Sequence, residues 1–199
     1  MQPIKIAVLG SGKGSNFRSI LNAILAGQVK ARPVLAVSDA PEAGMLTLAE
    51  NLGVPTAVIE ERQFRTRLSD DIERGLAETL RDSGAELIVL AGYMRVVKQP
   101  LLEAFPRRII NIHPSLLPAF PGLEAWKQAI DAGVQTTGCT VHHVDSGVDT
   151  GEIIAQSEVP VLPGDTAETL HARIQEAEHR LYPEVIKRFA ARELPLGTL

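Results

Sequence analysis

The segment Lys5-Ile6-Ala7-Val8-Leu9 runs straight into Gly10-Ser11-Gly12-Lys13-Gly14-Ser15-Asn16, after which apolar residues recur at Phe17, Ile20, Leu21, Ile24 and Leu25. A short continuous apolar run is expected of a strand buried on both faces, and the spacing after it is that of an amphipathic helix. Ser15 or Asn16 is the expected cap of that helix and Gly27 its expected stop. A strand, a glycine-rich turn and a helix start together present free backbone N–H groups and the positive end of a helix dipole, and the glycines let an anion approach the main chain. Phosphate is the natural guest; the other reading is a structural turn without a ligand. The glycines read G-x-G-x-G instead of G-x-G-x-x-G, and Lys13 is not placed as in a P-loop, so neither NAD binding nor ATP hydrolysis is supported.

The same alternation continues. Val34 to Val37 reads as a strand, Gly44 to Asn51 as a helix and Thr56 to Ile59 as a short strand; Phe64, Leu68, Ile72, Leu76 and Leu80 then predict an amphipathic helix across Arg62 to Ser83. Leu87 to Ala91 is the most hydrophobic strand, and it opens into Gly92-Tyr93-Met94-Arg95-Val96-Val97, an apolar loop exposing one arginine. Arg95 suits a carboxylate, or it holds the loop by bonding carbonyls. This rhythm predicts an α/β, Rossmann-like fold with a mostly parallel central sheet and helices on both faces. Ligands of open α/β sheets bind at the carboxyl ends of the strands.

The next strand, Ile109 to Ile112, delivers Asn111 and His113 to that edge, two residues apart and so on one side of the sheet. It breaks off into Pro114-Ser115-Leu116-Leu117-Pro118-Ala119-Phe120-Pro121-Gly122, where three prolines fix φ and remove donors, giving a loop of preset shape. An amide donor beside a group that trades protons suits a reaction site, although a capping role for His113 is equally compatible with this segment alone. Leu123 to Ala132 reads as a helix with Trp126 as packing. The style then changes: Thr137 to Val144 and Ile153 to Val161 form a hairpin-like pair around a long loop. His142 and His143 must point to opposite faces of their strand, so at most one faces the site. Asp149 lies in the connecting loop, where it is a site carboxylate or the head of an Asx-turn. Thr166 to Glu193 is a long helical tract, expected to break or bend at Pro183.

Composition narrows the function classes. At 199 residues the chain forms a core large enough to bury roughly 70% of its unfolded surface without staples. A single domain, residues 1–199, is expected, with a nucleotide-binding half over about 1–100 and a catalytic half over about 101–199. A net charge of −4, from 20 basic and 24 acidic residues, argues against a broad nucleic-acid surface but not against a local phosphate site. The one cysteine, Cys139, lies in an apolar run, so there is no disulfide framework and no cysteine-based zinc spacing. No signal-peptide pattern opens the chain, and no apolar run approaches the roughly 20 residues of a membrane span. No membrane partner and a cytoplasmic location are expected.

The order and spacing of these pieces resemble the glycinamide ribonucleotide formyltransferases, folate-dependent enzymes of purine synthesis, over essentially the whole chain. Ser115 to Pro118 is shared with the wider formyltransferase superfamily, and Ser11-Gly12-Lys13-Gly14-Ser15-Asn16 looks like this branch. The resemblance implies that Asn111, His113 and Asp149 are catalytic and that Gly14, Ser15 and Asn16 cradle the substrate phosphate. It further implies that Glu178 binds the acceptor nucleotide, that Met94, Arg95, Val96 and Val97 form a folate-contact loop, and that His142 lies near the site. The chain carries Lys13 where relatives usually have Asn, Glu124-Ala125-Trp126 where a histidine is commoner, and Glu152 where proline is usual.

The implied substrates are glycinamide ribonucleotide and 10-formyltetrahydrofolate, with no metal and no nucleic acid, in a monomer or homodimer. Acyl transfer between nitrogens passes through a tetrahedral intermediate with negative charge on oxygen, which Asn111 and a protonated His113 would stabilise while Asp149 raises the histidine pKa. The alternatives are a formyltetrahydrofolate hydrolase using the same triad on water, and a non-catalytic nucleotide- or folate-binding protein. Formylation of a transfer RNA is disfavoured, since no basic tract is visible.

Overall fold

A seven-stranded sheet in the order β3-β2-β1-β4-β5-β6-β7 organises the computed structural model, which describes residues 2–197. Its elements are β1 (Ile4–Leu9), α1 (Ser15–Leu25), β2 (Ala31–Ser38), α2 (Gly44–Glu50), β3 (Thr56–Val58), α3 (Asp70–Asp82), β4 (Leu87–Leu90), α4 (Gln99–Ala104), β5 (Ile109–His113), α5 (Ala125–Asp131), β6 (Thr136–His143), β7 (Ile153–Pro160) and α6 (Ala167–Ala190). Strands β3 to β5 pair in parallel, and β6 and β7 are antiparallel additions at one edge.

Alternation along each central strand divides the core. Ile6 and Val8 of β1 and Leu87 and Val89 of β4 pack on the face covered by α1, α2, α5 and α6. Ala7 and Leu9, Ile88 and Leu90 pack on the other, under α3 and α4. Both faces are buried, as the apolar runs predict. Leu9 pairs with Leu90, and Leu90 with Asn111. The glycine-rich turn after β1 and the site residue of β5 therefore sit about two strand spacings, roughly 10 Å, apart.

The structure departs from the sequence reading at several places. The helix expected over Arg62 to Ser83 begins only at Asp70. Residues before it are held as a loop: Glu61 accepts the N–H groups of Gln63 and Ser69, and the Thr66 carbonyl accepts the Val96 N–H. Leu68 still reaches the core, 1% exposed, so its apolar position is real although its backbone is not helical. The six-residue α4 was not foreseen. The long C-terminal helix α6 runs unbroken through Pro183. Its neighbours Tyr182, Val185 and Ile186 are fully buried, and the Tyr182 hydroxyl bonds the Leu90 and Ile110 carbonyls, so packing outweighs the lost helical bond.

Candidate active site

At the end of β1 the cap position of α1 falls on Gly14, one residue before the expected caps, in the left-handed region at φ 79°. Only glycine fits here, because a Cβ would also lie 2.8 Å from the Met45 Cβ. No side chain caps the helix. Ser15 and Asn16 instead lie in its first turn, where backbone N–H groups have no intrahelical acceptor. The turn is braced by the Ser11 N–H on the Gly92 carbonyl (3.0 Å) and by the Met94 N–H on the Ser11 hydroxyl (3.0 Å). Across from it, Asn16 Nδ2 donates to Glu178 Oε2 of α6 at 2.9 Å, which joins two residues 162 apart in sequence.

Register assembles the second half of the site. Asn111 of β5 pairs directly with His142 of β6, and His113 with Thr140. The side chains of such a pair stand together on one face. Asn111 Nδ2 lies 3.3 Å from His142 Nε2, and His142 Nδ1 lies 2.8 Å from the His143 carbonyl. The carbonyl can only accept, so Nδ1 carries the hydrogen and Nε2 accepts from Asn111. His143 points the other way and meets the edge of Phe189 at 83°.

His113 is 4% exposed, with Nε2 at 2.8 Å from the Phe120 carbonyl and Nδ1 at 3.3 Å from Asp149 Oδ2. Two acceptors facing the two ring nitrogens are both satisfied only by the doubly protonated imidazolium. Asp149 also accepts the Gly122 N–H at 2.8 Å, and its Oδ1 lies 3.6 Å from His142 Nε2. Burial pushes the Asp149 carboxyl up, but the Gly122 N–H and the charge of His113 outweigh it and hold the group below its ordinary range. Its backbone is left-handed, φ 55°, a conformation aspartate tolerates better than most residues. The Asx-turn of this loop belongs to Asp145, which accepts the Gly147 N–H.

Sequence reasoning credited the prolines with fixing the loop after β5, and it missed what else holds it. Thr140 accepts the Leu117 N–H and donates to the Ser115 carbonyl, while Gln156 of β7 donates to the Leu117 carbonyl. Ser115, fully buried, donates to the carbonyls of Ala119 and Phe120. A polar residue alternating into an apolar strand, as Thr140 does, is the one signal that pointed to this bracing.

Of the Met94 to Val97 loop, only Met94 stands well out at 58% exposed, and Val97 is core. Arg95 is not exposed: its Nε bonds Asp39 at 2.7 Å and its Nη1 the carbonyls of Phe64 and Arg67, with 9% of the side chain accessible. Both sequence readings of Arg95, carboxylate partner and loop brace, are met by the protein's own groups. Arg95→Met should cost about 3–5 kcal/mol, because it leaves Asp39 charged and buried without a partner. Urea unfolding checks this, and adding Asp39→Asn should restore part of the loss.

A mostly parallel sheet thus carries an uncapped helix start and, drawn from two strands and a loop, an Asn–His–Asp cluster whose donors and carboxylate suit a group-transfer enzyme. The family model for formyl transferases matches residues 4–186, and the chain belongs to that family. It is 45% identical to the phosphoribosylglycinamide formyltransferase of Bacillus subtilis over 92% of this chain and 93% of that protein. It is 48% identical to the trifunctional purine biosynthetic protein adenosine-3 of Drosophila pseudoobscura pseudoobscura over 96% of this chain, spanning only 14% of that longer protein. The crystal structure of glycinamide ribonucleotide transformylase 1 from Symbiobacterium toebii superposes with a TM-score of 0.92 at 48% identity, covering 98% of this chain and 91% of that one.

Proposed function

We propose that the chain transfers the formyl group of 10-formyltetrahydrofolate to the amine of glycinamide ribonucleotide, acting in the cytoplasm as a monomer or homodimer. The observation that carries this reading is the cluster of Asn111, His113, His142 and Asp149, drawn from two strands and a loop and aligned with the uncapped start of α1. In the proposed division of labour, residues of about 1–100 cradle the acceptor phosphate at Gly14, Ser15 and Asn16, and residues of about 101–199 supply the catalytic cluster. Glu178 joins the two by reaching Asn16. The Met94 to Val97 loop takes the folate side through its backbone and the exposed Met94, because Arg95 is committed inward.

Attack of the amine on the formyl carbon places negative charge on the formyl oxygen. Asn111 spends one amide hydrogen on His142 and keeps the other for that oxyanion. His113 brings positive charge to the same centre, and its Nε2–H exchanges the Phe120 carbonyl for a reacting atom when substrates close the site. The carbon–N10 bond then breaks, N10 takes a proton, and the amine loses one. The proton N10 takes comes from His113 and the one the amine gives up restores it, while the Asp149 carboxylate faces Nδ1.

A formyl-transfer assay with each ligand omitted in turn tests the reaction. Formate released as fast without acceptor as with it would identify a hydrolase, and binding without turnover a sensor. For the cradle, the dephosphorylated acceptor should bind at least about 10-fold more weakly, since it forfeits charge-assisted bonds to free N–H groups at a helix start. Equal affinities would remove Gly14 to Asn16 from the site.

A further inference from the structure

Glu178 is a carboxylate in an unusual place. It is 5% exposed, and its one hydrogen-bond partner among the described residues is Asn16 Nδ2, at 2.9 Å. No cation faces it. From β6 the neighbouring titratable group is the Cys139 thiol, pushed up to about 12 chiefly by burial; from α6 itself it is the Tyr182 phenol, raised well above its ordinary value by burial. Both stay neutral near pH 7. From α1 it meets only the neutral amide of Asn16, while Glu176 and Arg180 of α6 are exposed. His179, next in the chain, is half-buried in the groove between α1 and α6.

The pair is also one donor short. Asn16 Oδ1 is buried and has no partner among the described residues. An ionised Glu178 can only accept, so it takes an amide N–H and leaves that oxygen unsatisfied. A protonated Glu178 can donate its O–H to the amide oxygen once the carboxamide turns over, and the amide N–H groups then take the unpartnered place, where they need an acceptor that a bound phosphate supplies. Asn16 stands in the first turn of α1, so a phosphate held there lies one side chain from the carboxyl. Burial has already pushed that carboxyl up to about 7, against the lowering bond from Asn16.

We propose that Glu178 is a positioning residue through which acceptor binding is coupled to a proton: phosphate binds at the start of α1 with uptake of one proton by Glu178, and the Asn16 amide turns over to accept from it. This rests on the reading of the α1 start as the phosphate site. A dianion one side chain away disfavours the ionised carboxyl further, by at least about one pKa in a medium of effective dielectric near 20. The sign follows. The group's pKa is higher in the complex than in the free protein, so affinity is greatest below the free value near 7 and declines as pH rises through the bound value.

Ribose 5-phosphate is the cleaner probe, because it lacks the titrating amine of glycinamide ribonucleotide. Calorimetric titration at about pH 8, above the phosphate's own pKa of about 6, in buffers of different ionisation enthalpy should show about 0.4 proton taken up per ligand. Affinity should fall about five-fold between pH 7 and 9. Glu178→Gln keeps a neutral group of the same shape and should abolish both the uptake and the decline. A carbon-13 titration of the Glu178 carboxyl in the unaltered protein reads the same event without a variant, its midpoint moving upward when ribose 5-phosphate is added. No uptake, equal uptake in Glu178→Gln, or an unmoved midpoint overturns the proposal, as does failure of ribose 5-phosphate to bind. Uptake with ribose 5-phosphate in a protein that fails to formylate glycinamide ribonucleotide would leave the coupling standing and sink the proposed reaction.

Discussion

Asp149→Asn should lower the single-turnover rate of formyl transfer by about 10²- to 10⁴-fold, the range spanned by a placed acid or base. The replacement has the same shape, and its remaining oxygen can still accept the Gly122 N–H that Asp149 holds at 2.8 Å. What changes is the charge: the oxygen that accepts the Gly122 N–H, Oδ2, is also the one 3.3 Å from His113 Nδ1, and in the variant it is a neutral amide oxygen. The amide nitrogen takes the place of Oδ1, near His142 Nε2, and the His113 ring loses the carboxylate charge beside it while its Nε2 keeps the Phe120 carbonyl. The electrostatic support of the ring is lost, and acceptor affinity is retained because the cradle is a separate segment.

The pH profile identifies the cause. In the unaltered protein the Asp149 carboxyl sits below its ordinary value of 3.8. Its support is therefore present throughout the neutral range and is lost only as pH falls through that lowered value. In Asp149→Asn that charge is absent at every pH, so the rate should stay low throughout the range in which the unaltered protein is fully active. Single-turnover rates at saturating substrates across pH 5 to 9 measure both curves, and a near-normal rate with an unchanged profile would remove Asp149 from the mechanism.

Asn111→Ala should lower kcat by about 10²- to 10³-fold, the usual cost of one oxyanion donor. Its amide is not a free rotor: His142 Nε2 takes one hydrogen at 3.3 Å, and His142 is in turn fixed by the His143 carbonyl at 2.8 Å. That relay aims the second hydrogen and freezes it before substrate arrives. A bond made only in the transition state acts on kcat and on kcat/KM equally, so KM for both substrates should stay near normal. A raised KM with intact single-turnover chemistry would mean that Asn111 binds ground-state substrate instead. His142→Ala, which frees the amide without removing it, should give a smaller loss.

Much of the fold was readable because it rests on short-range periodicity. The both-face-buried runs at Lys5 to Leu9 and Leu87 to Ala91, the glycine turn and the helix after it each declare themselves within a dozen residues. The misread start of the third helix has one cause, which is that apolar spacing reports burial and not backbone geometry. Leu68 is as buried as a helical core residue, yet its segment is a loop because Glu61 holds the Gln63 and Ser69 N–H groups within it and the carbonyls of Phe64, Thr66 and Arg67 accept from Arg95 and Val96. Pro183 would end an isolated helix but lies inside α6, where its fully buried neighbours hold the backbone in place.

The candidate site divides the same way. The sequence by itself determined which residue types could do the chemistry and that Asn111 and His113 share a sheet face, since a strand alternates with a period of two whatever surrounds it. It also determined that a helix follows the glycine-rich turn, while the structure moved its cap to Gly14. Only the tertiary structure decided that Asp149 turns its carboxylate to His113, that His142 and not His143 looks into the site, that Arg95 is spent inside, and that Glu178 closes on Asn16. Those contacts join residues distant in the chain, and their geometry is set by strand register and helix packing, which no local stretch of sequence encodes.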